Sequence, residues 1–397
     1  MIGADSLTSW TMDKPDEPWR RWHRLRTYNE IRRQSGPRLD RLISLFRDNR
    51  FFPATGRVSR YAPIDLRLFE NIEEVLEFLE SIRYSLKITT PRRLRIYDVK
   101  RRNDPYRPAG KPRRIGRYVS FDKIERIDPA GALLLAAEFD RARRRFRARL
   151  PAVNVEKWNA DVRQTLTGLG FFSLLEIGDR PQALSLRDQS GVWRVTPFIS
   201  YSHVESTLTG SSLRELAAAL GFDEHSFFAD VRLKHLFRSV IDSMDNVLSH
   251  AYLNLVDGHA IFPHVGRWWL TGAVDFENRR LSVSLFDQGI TIPGRLIMDQ
   301  DRTNASAKTA LKRIIRRGAA DCDLVEFAVE NQVTTTGDEQ RGRGLGKLVE
   351  FVDACQHGEL RIVSRQGMYH YVKGLSATKC DLNCSVGGTL ISWQVEL

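Results

Sequence analysis

Three features of the sequence predict an α/β fold. Residues 118–169 read as strand, turn, helix, strand, helix; residues 267–287 hold two strands around a tight turn; and glycine-rich turns lead into a helix and a closing strand beyond residue 340. In the first, Tyr118–Ile127 has a strand's composition, IDPAG is a turn and Ala130–Arg145 is helical. Ala152–Val155 is then a short strand, and Asn159–Leu169 a helix ending at Gly170. In the second, Arg267–Phe276 and Leu281–Asp287 alternate around ENRR. Beyond residue 340, RGRGLGK opens a helix running to about Gln356. GELRIVS, YHYVK and GGTLISWQVEL follow as strands.

Earlier in the chain the pattern is helical. Trp19, Trp22, Leu25 and Tyr28 recur every three residues between Glu17 and Asn49. SGP at Ser35–Pro37 breaks the run before Leu39, Leu42, Ile43 and Phe46. Phe69–Tyr84 is a third amphipathic run. Pro91–Arg117 carries eleven Lys or Arg, four prolines and two acids, a composition that resists packing. The predicted organisation is a helical N-terminal region (1–90), a basic Pro-containing linker or arm (91–117), an α/β layer (118–180), a polar linker holding the strand-like VWRVTPFISY (181–210) and a second α/β unit (211–397).

At 397 residues, 42% hydrophobic and 28% charged, the chain has ordinary globular composition, which excludes wholesale disorder. The net charge of +12 is unevenly placed. Residues 1–150 hold 35 basic and 20 acidic side chains (+15) and the remainder 26 and 29 (−3), which points to an anionic partner for one end. Arg113, Arg114 and Arg117, with Arg141, Arg143, Arg144, Arg145, Arg147 and Arg149, form the candidate patch, and nucleic acid is one partner class for it. Four late cysteines imply no disulfide framework, and Cys380 and Cys384 lack companions for a zinc set. The N-terminus has no basic-then-apolar leader, and the longest apolar stretch, Ala130–Phe139, is too short for a bilayer. The expectation is a soluble, cytoplasmic protein.

Chemistry concentrates after residue 230. Asp242, Asn246 and His250 are spaced by four on one predicted helix and so share a face. An acid so placed can orient water, and an amide oxygen can coordinate Mg²⁺ on a phosphate. Asp287 ends a strand before Gly289, a pattern suited to a base's exocyclic amine beside a close backbone turn. Gly342, Gly344 and Gly346 put amide N–H groups near a helix start, where phosphate oxygens are stabilised.

In this order the segments resemble the GHKL ATPases (gyrase, the ninety-kilodalton heat-shock chaperone, histidine kinases and MutL) over about Ser211–Leu397. The helix with Asp242 and Asn246 looks like the N box, DQGITI the first glycine box, GRGLG the second and GGT at Gly387–Thr389 the turn before the last strand. The resemblance implies a Bergerat-type α/β sandwich holding ATP and Mg²⁺. Asp242 would position the attacking water and Asn246 bind Mg²⁺. Asp287 would read adenine, Gly289, Gly344 and Gly346 would frame the nucleotide, and Arg341, Gly342 and Thr389 would also bind it. Residues 294–341 would be a mobile lid. Two departures stand out: Asp242 replaces the family's Glu, and Thr291 its second glycine.

SFDKIERIDPAGALLLAAEFDRARRR resembles a STAS-like domain, as in anti-sigma-factor antagonists, over about Arg117–Ile177, with Pro129 at the phosphorylated serine's position. His225 and His235 lack a phospho-acceptor context, and no transducer segment follows the closing strand. The combined expectation is an ATP-dependent regulatory or switch protein with ATPase or Ser/Thr kinase chemistry. Its protein partner would bind through the STAS-like or N-terminal region. The alternatives are a nucleic-acid-binding protein with nucleotide-controlled grip and a degenerate ATP fold kept as a scaffold.

Overall fold

The computed structural model of the chain describes residues 57–85, 117–146, 155–175, 184–223, 229–252, 262, 264–298, 300, 305–331 and 345–397. In chain order these form β1 (Arg57–Tyr61), β2 (Asp65–Leu66), α1 (Ile72–Ser85), β3 (Arg117–Ser120), β4 (Arg126–Ile127), α2 (Pro129–Phe146) and α3 (Ala160–Gly168). There follow β5 (Trp193–Val195), β6 (Ile199–Tyr201), α4 (Ser206–Ala219), α5 (Val231–Asn246), β7 (Trp268–Asp275) and β8 (Arg280–Asp287). The last elements are α6 (Ile292–Met298), α7 (Ala305–Arg316), α8 (Asp321–Glu330), α9 (Gly346–Ala354), β9 (His357–Ser364), β10 (Gly367–Val372), β11 (Thr378–Asp381) and β12 (Thr389–Glu396).

The architecture is mixed α/β around an antiparallel sheet of order β11-β10-β9-β12-β8-β7-β5, with β6 also pairing on β7. Successive side chains of a strand point to opposite faces, and here both faces are covered. Trp269, Ala273, Phe286, Val363 and Leu390 join the core built by α1, α2 and α3. Trp268, Leu270, Val274, Val283, Leu285 and Trp393 join a second core with α4, α5 and α9. Every residue of β7 is therefore buried. A third, smaller core holds α6, α7 and α8 together through Leu296, Leu311, Leu324 and Phe327.

Local chemistry accounts for the helices that matter to the site. Val75, Leu76, Leu79 and Ile82 recur at helical spacing on α1 and are buried, while Glu73 and Glu74 complement the dipole at its start. Asp128 ties the start of α2 to the strand layer. Its carboxylate accepts from Gly131 N (2.6 Å) and from Leu68 N (2.9 Å), and burial pushes its pKa up to about 6. Asp230 caps α5 by accepting from Arg232 N at 2.8 Å and Leu233 N at 3.4 Å. From Ala130 to Ala142, α2 is buried all round, because α1 covers one side and the sheet the other.

Several expectations change. Residues 181–210 contain β5, β6 and the start of α4, so this stretch belongs to the sheet rather than to a linker. Pro197 splits the edge strand in two, because proline cannot donate to a ladder. Tyr118–Ile127 becomes two short strands, β3 and β4, pairing parallel with β1 and β2. In IDPAG, Ile127 ends β4 and Pro129–Gly131 begin α2, and Val155 opens a 3₁₀ turn rather than ending a strand. The predicted helices between Glu17 and Asn49, and the basic arm up to Gly116, lie outside the described residues. Among the described residues no helix is long and apolar enough to cross a membrane.

Candidate functional site

α5 buries Leu233, Leu236, Val240 and Met244 against the sheet side and leaves Asp242 and Asn246 half-exposed on its other flank. The helix packs on α9, and Ser239 Oγ donates to Lys347 O at 3.3 Å. Across this contact Lys347 Nζ sits 2.7 Å from Asp242 Oδ2, an ion pair with both side chains about a third exposed. Lys347, directly after Gly346 at the start of α9, is not among the residues the sequence singles out; its signal is the cation that closes RGRGLGK.

After Asn246 the α-helix gives way to a π turn over Val247–Ala251. The wider turn takes His250 off the α-helical spacing that would align it with Asn246. It also delivers Ala251 against Gly289, where Ile290 N donates to Ala251 O at 2.8 Å. A Cβ on Gly289 would stand 2.3 Å from that same oxygen, so only glycine permits the approach. Tyr252 secures the neighbouring backbone: its Oη donates to Arg267 O (2.6 Å) and accepts from Gln288 N (2.8 Å).

Asp287 closes β8 at this point. It is 4% exposed and accepts from Gly289 N at 2.8 Å, and burial pushes its pKa up to about 7. Its register partner on β12 is Thr389, which in turn faces Ser364 on β9. The Thr389 and Ser364 hydroxyls are 2.8 Å apart, and Ser364 Oγ also accepts from Ile292 N at 2.9 Å. The carbonyl of Asp287 lies beneath Gly388, where a Cβ would come within 1.8 Å of it. Four segments distant in sequence thus meet at the ends of β8 and β12. They offer a buried carboxylate and two hydroxyls; the Asn246 carboxamide and the Asp242–Lys347 ion pair lie earlier along α5, the helix that leads into this junction.

Arg341, Gly342 and Gly344 lie outside the described residues; Gly346 is the first residue of α9. The described residues of the expected lid, 294–341, hold the end of α6, all of α7 and all of α8. α8 packs on β9, β10 and β11, and Cys322 N donates to Asp381 Oδ1 at 2.8 Å, so this part is anchored to the sheet. Among the described residues no group of three or more His, Cys, Asp or Glu could hold a metal ion. A Mg²⁺ held by one carboxamide and phosphate oxygens requires no such group. The donor set fits a purine nucleotide with Mg²⁺: an acceptor for an exocyclic amine at Asp287, hydroxyls at Thr389 and Ser364, and an amide oxygen at Asn246.

The arginine patch is not as expected. Arg141 is fully buried and 3.2 Å from Glu138, and burial lowers its pKa to about 10. Because α2 is enclosed on all sides, this arginine faces inward. Arg144 pairs with Asp140 at 2.7 Å and Arg143 donates to Ser173 O at 2.7 Å. Arg113, Arg114, Arg147 and the side chain of Arg145 lie outside the described residues. Among the described residues none of the Arg141 nitrogens makes a hydrogen bond, and Arg83 already balances Glu138. Arg141→Met is therefore expected to leave stability unchanged or raise it by up to about 2 kcal/mol, read as the thermal midpoint.

Comparison of the chain with models of protein families, with curated proteins and with solved structures returns no match.

Proposed function

We propose that the chain binds ATP with Mg²⁺ through a GHKL-type site and acts as a nucleotide-controlled regulatory protein. One observation carries the reading: the strand-end carboxylate of Asp287 and the end of the helix bearing Asp242 and Asn246 are locked together through Gly289 and Ala251. In this reading Asp287 accepts from the adenine amine, and Thr389 and Ser364 hold the same edge. Asn246 contributes its amide oxygen to Mg²⁺, which neutralises phosphate charge. Asp242 orients the acceptor, either water or a Ser/Thr hydroxyl, once its pair with Lys347 opens. Lys347 is then free to face the phosphates, next to the start of α9. The described helices α1, α2 and α3 lie on the opposite face of the sheet, and the region they belong to is the proposed seat of a protein partner. The net +15 of residues 1–150 favours an acidic or nucleic-acid surface as the second partner class.

Titrating labelled ATP with and without Mg²⁺ tests the assignment. Wild type is expected to bind more tightly with Mg²⁺, and Asn246→Ala to lose roughly tenfold or more of that increment while keeping metal-free binding. Equal weak binding by both proteins in both conditions would sink it.

A further inference from the structure

The base end of the candidate site is held in place from the other side of the sheet. Arg83, on α1, is fully buried. Its guanidinium donates from Nη1 to Ser385 O at 2.9 Å and from Nη2 to Val386 O at 2.6 Å. Nε meets Glu138 Oε1 of α2 at 2.9 Å, and the Phe262 ring lies 4.7 Å from its Cζ. These two carbonyls begin the turn that leads to Thr389. Gly387 follows at φ +81°, where a Cβ would stand 2.9 Å from Arg83 Cζ, and Gly388 follows against Asp287 O. Gln288, the residue after Asp287, is tied to the same helix layer, its Nε2 donating to Ala137 O at 3.1 Å. A planar guanidinium with two parallel donors fixes both the position and the tilt of the turn that it grips, which a single point charge does not.

We infer that Arg83 is a positioning residue for base recognition. From a helix about 300 residues earlier in the chain, it sets the 385–388 turn so that Thr389 and Asp287 stand at the distance an adenine edge requires. The inference rests on the ATP reading above. It makes the N-terminal segment part of the nucleotide site, and the base contacts incomplete without it. Arg83 touches no nucleotide itself; it acts through the turn.

The test is nucleotide selectivity in the full chain, measured as the ratio of GTP to ATP dissociation constants in Mg²⁺. Arg83→Lys keeps a cation for Glu138 but cannot span both carbonyls. Arg83→Gln leaves Glu138 paired one-to-one with Arg141. Both variants are expected to weaken ATP binding, lowering the ratio roughly tenfold, while GTP affinity stays at the wild-type value. Arg141→Met, which leaves the Arg83 bonds intact, is expected to keep the wild-type ratio. A purely structural role would move ATP and GTP affinities together and would overturn the inference, as would an unchanged ratio in both Arg83 variants. If wild type itself binds no ATP, the ATP reading falls and this inference with it. If wild type prefers ATP and the Arg83 variants do too, only the inference falls.

Discussion

Gly388→Ala is expected to destabilise the protein by about 3 kcal/mol or more and to abolish nucleotide binding. An alanine Cβ here would lie 1.8 Å from Asp287 O and 2.9 Å from Gln288 Cα. Both neighbours are main chain and cannot swing away as a side-chain end could. Relief requires β12 to draw back from β8 where Thr389 faces Asp287, so fold and site fail together. Gly191→Ala is the control. Its nearest neighbour, Trp193 O, would be at 3.5 Å, an ordinary contact, and a change below about 0.5 kcal/mol is expected. Denaturant midpoints measure both. Gly388→Ala as stable as Gly191→Ala would contradict the apposition of the two strands.

Asp287→Asn carries the second large effect, and it depends on pH. The folded pKa of about 7 lies above the ordinary carboxylate value of 3.8, so the native state holds this proton more tightly than the unfolded chain does. Such a group favours the fold most at low pH, and its contribution falls as pH rises from about 4 to about 7. Between pH 5 and pH 8 the loss amounts to about 3 kcal/mol, from roughly two pH units of unequal proton binding at 1.36 kcal/mol each. Asparagine keeps an acceptor for Gly289 N and has no such titration. The variant is expected to gain about that much over wild type at pH 8 relative to pH 5. Asp128, likewise raised, contributes a similar slope to both proteins and cancels in the comparison. On the ATP reading the same change weakens ATP and favours GTP, because a carboxamide NH₂ donates to a keto oxygen where a carboxylate accepts from an amine. Parallel denaturation curves at the two pH values would refute the stability expectation.

The strands flanking the site were readable because their signals are local: apolar runs at 268–275 and 280–287, glycine turns, and an acid at a strand end. The helix bearing Asp242 and Asn246 was readable from its period, but the π turn was not, since nothing in NVLSHA distinguishes it from continued α-helix. Arg141 was misread for a physical reason. Charge periodicity separates a wet face from a dry one only when a helix has both, and α2 has no wet face over Ala130–Ala142. Arg83 was invisible as a site residue because its partners, Ser385 and Val386, are about 300 positions away and are main-chain atoms that carry no sequence signature. The edge strands β5 and β6 were legible as the strand-like VWRVTPFISY, but their place in the sheet was not, because the surrounding residues are polar and Pro197 interrupts the run. The link across that break is made by Thr196, whose N donates to Gly272 O at 2.8 Å.

The order of strands also constrains how the chain reaches this state. β12, the last strand in sequence, lies between β8 and β9, and it contributes Leu390 to the core beneath α2. Until it inserts, the sheet is two separate pieces, and the enclosed helix α2, made some 250 residues earlier, has only part of its cover. Closing the sheet therefore needs contacts between segments about 250 residues apart, the kind of long-range pairing whose loop-closure entropy is greatest. Without β12 the Ala130–Phe139 segment lacks the cover that Leu390 supplies.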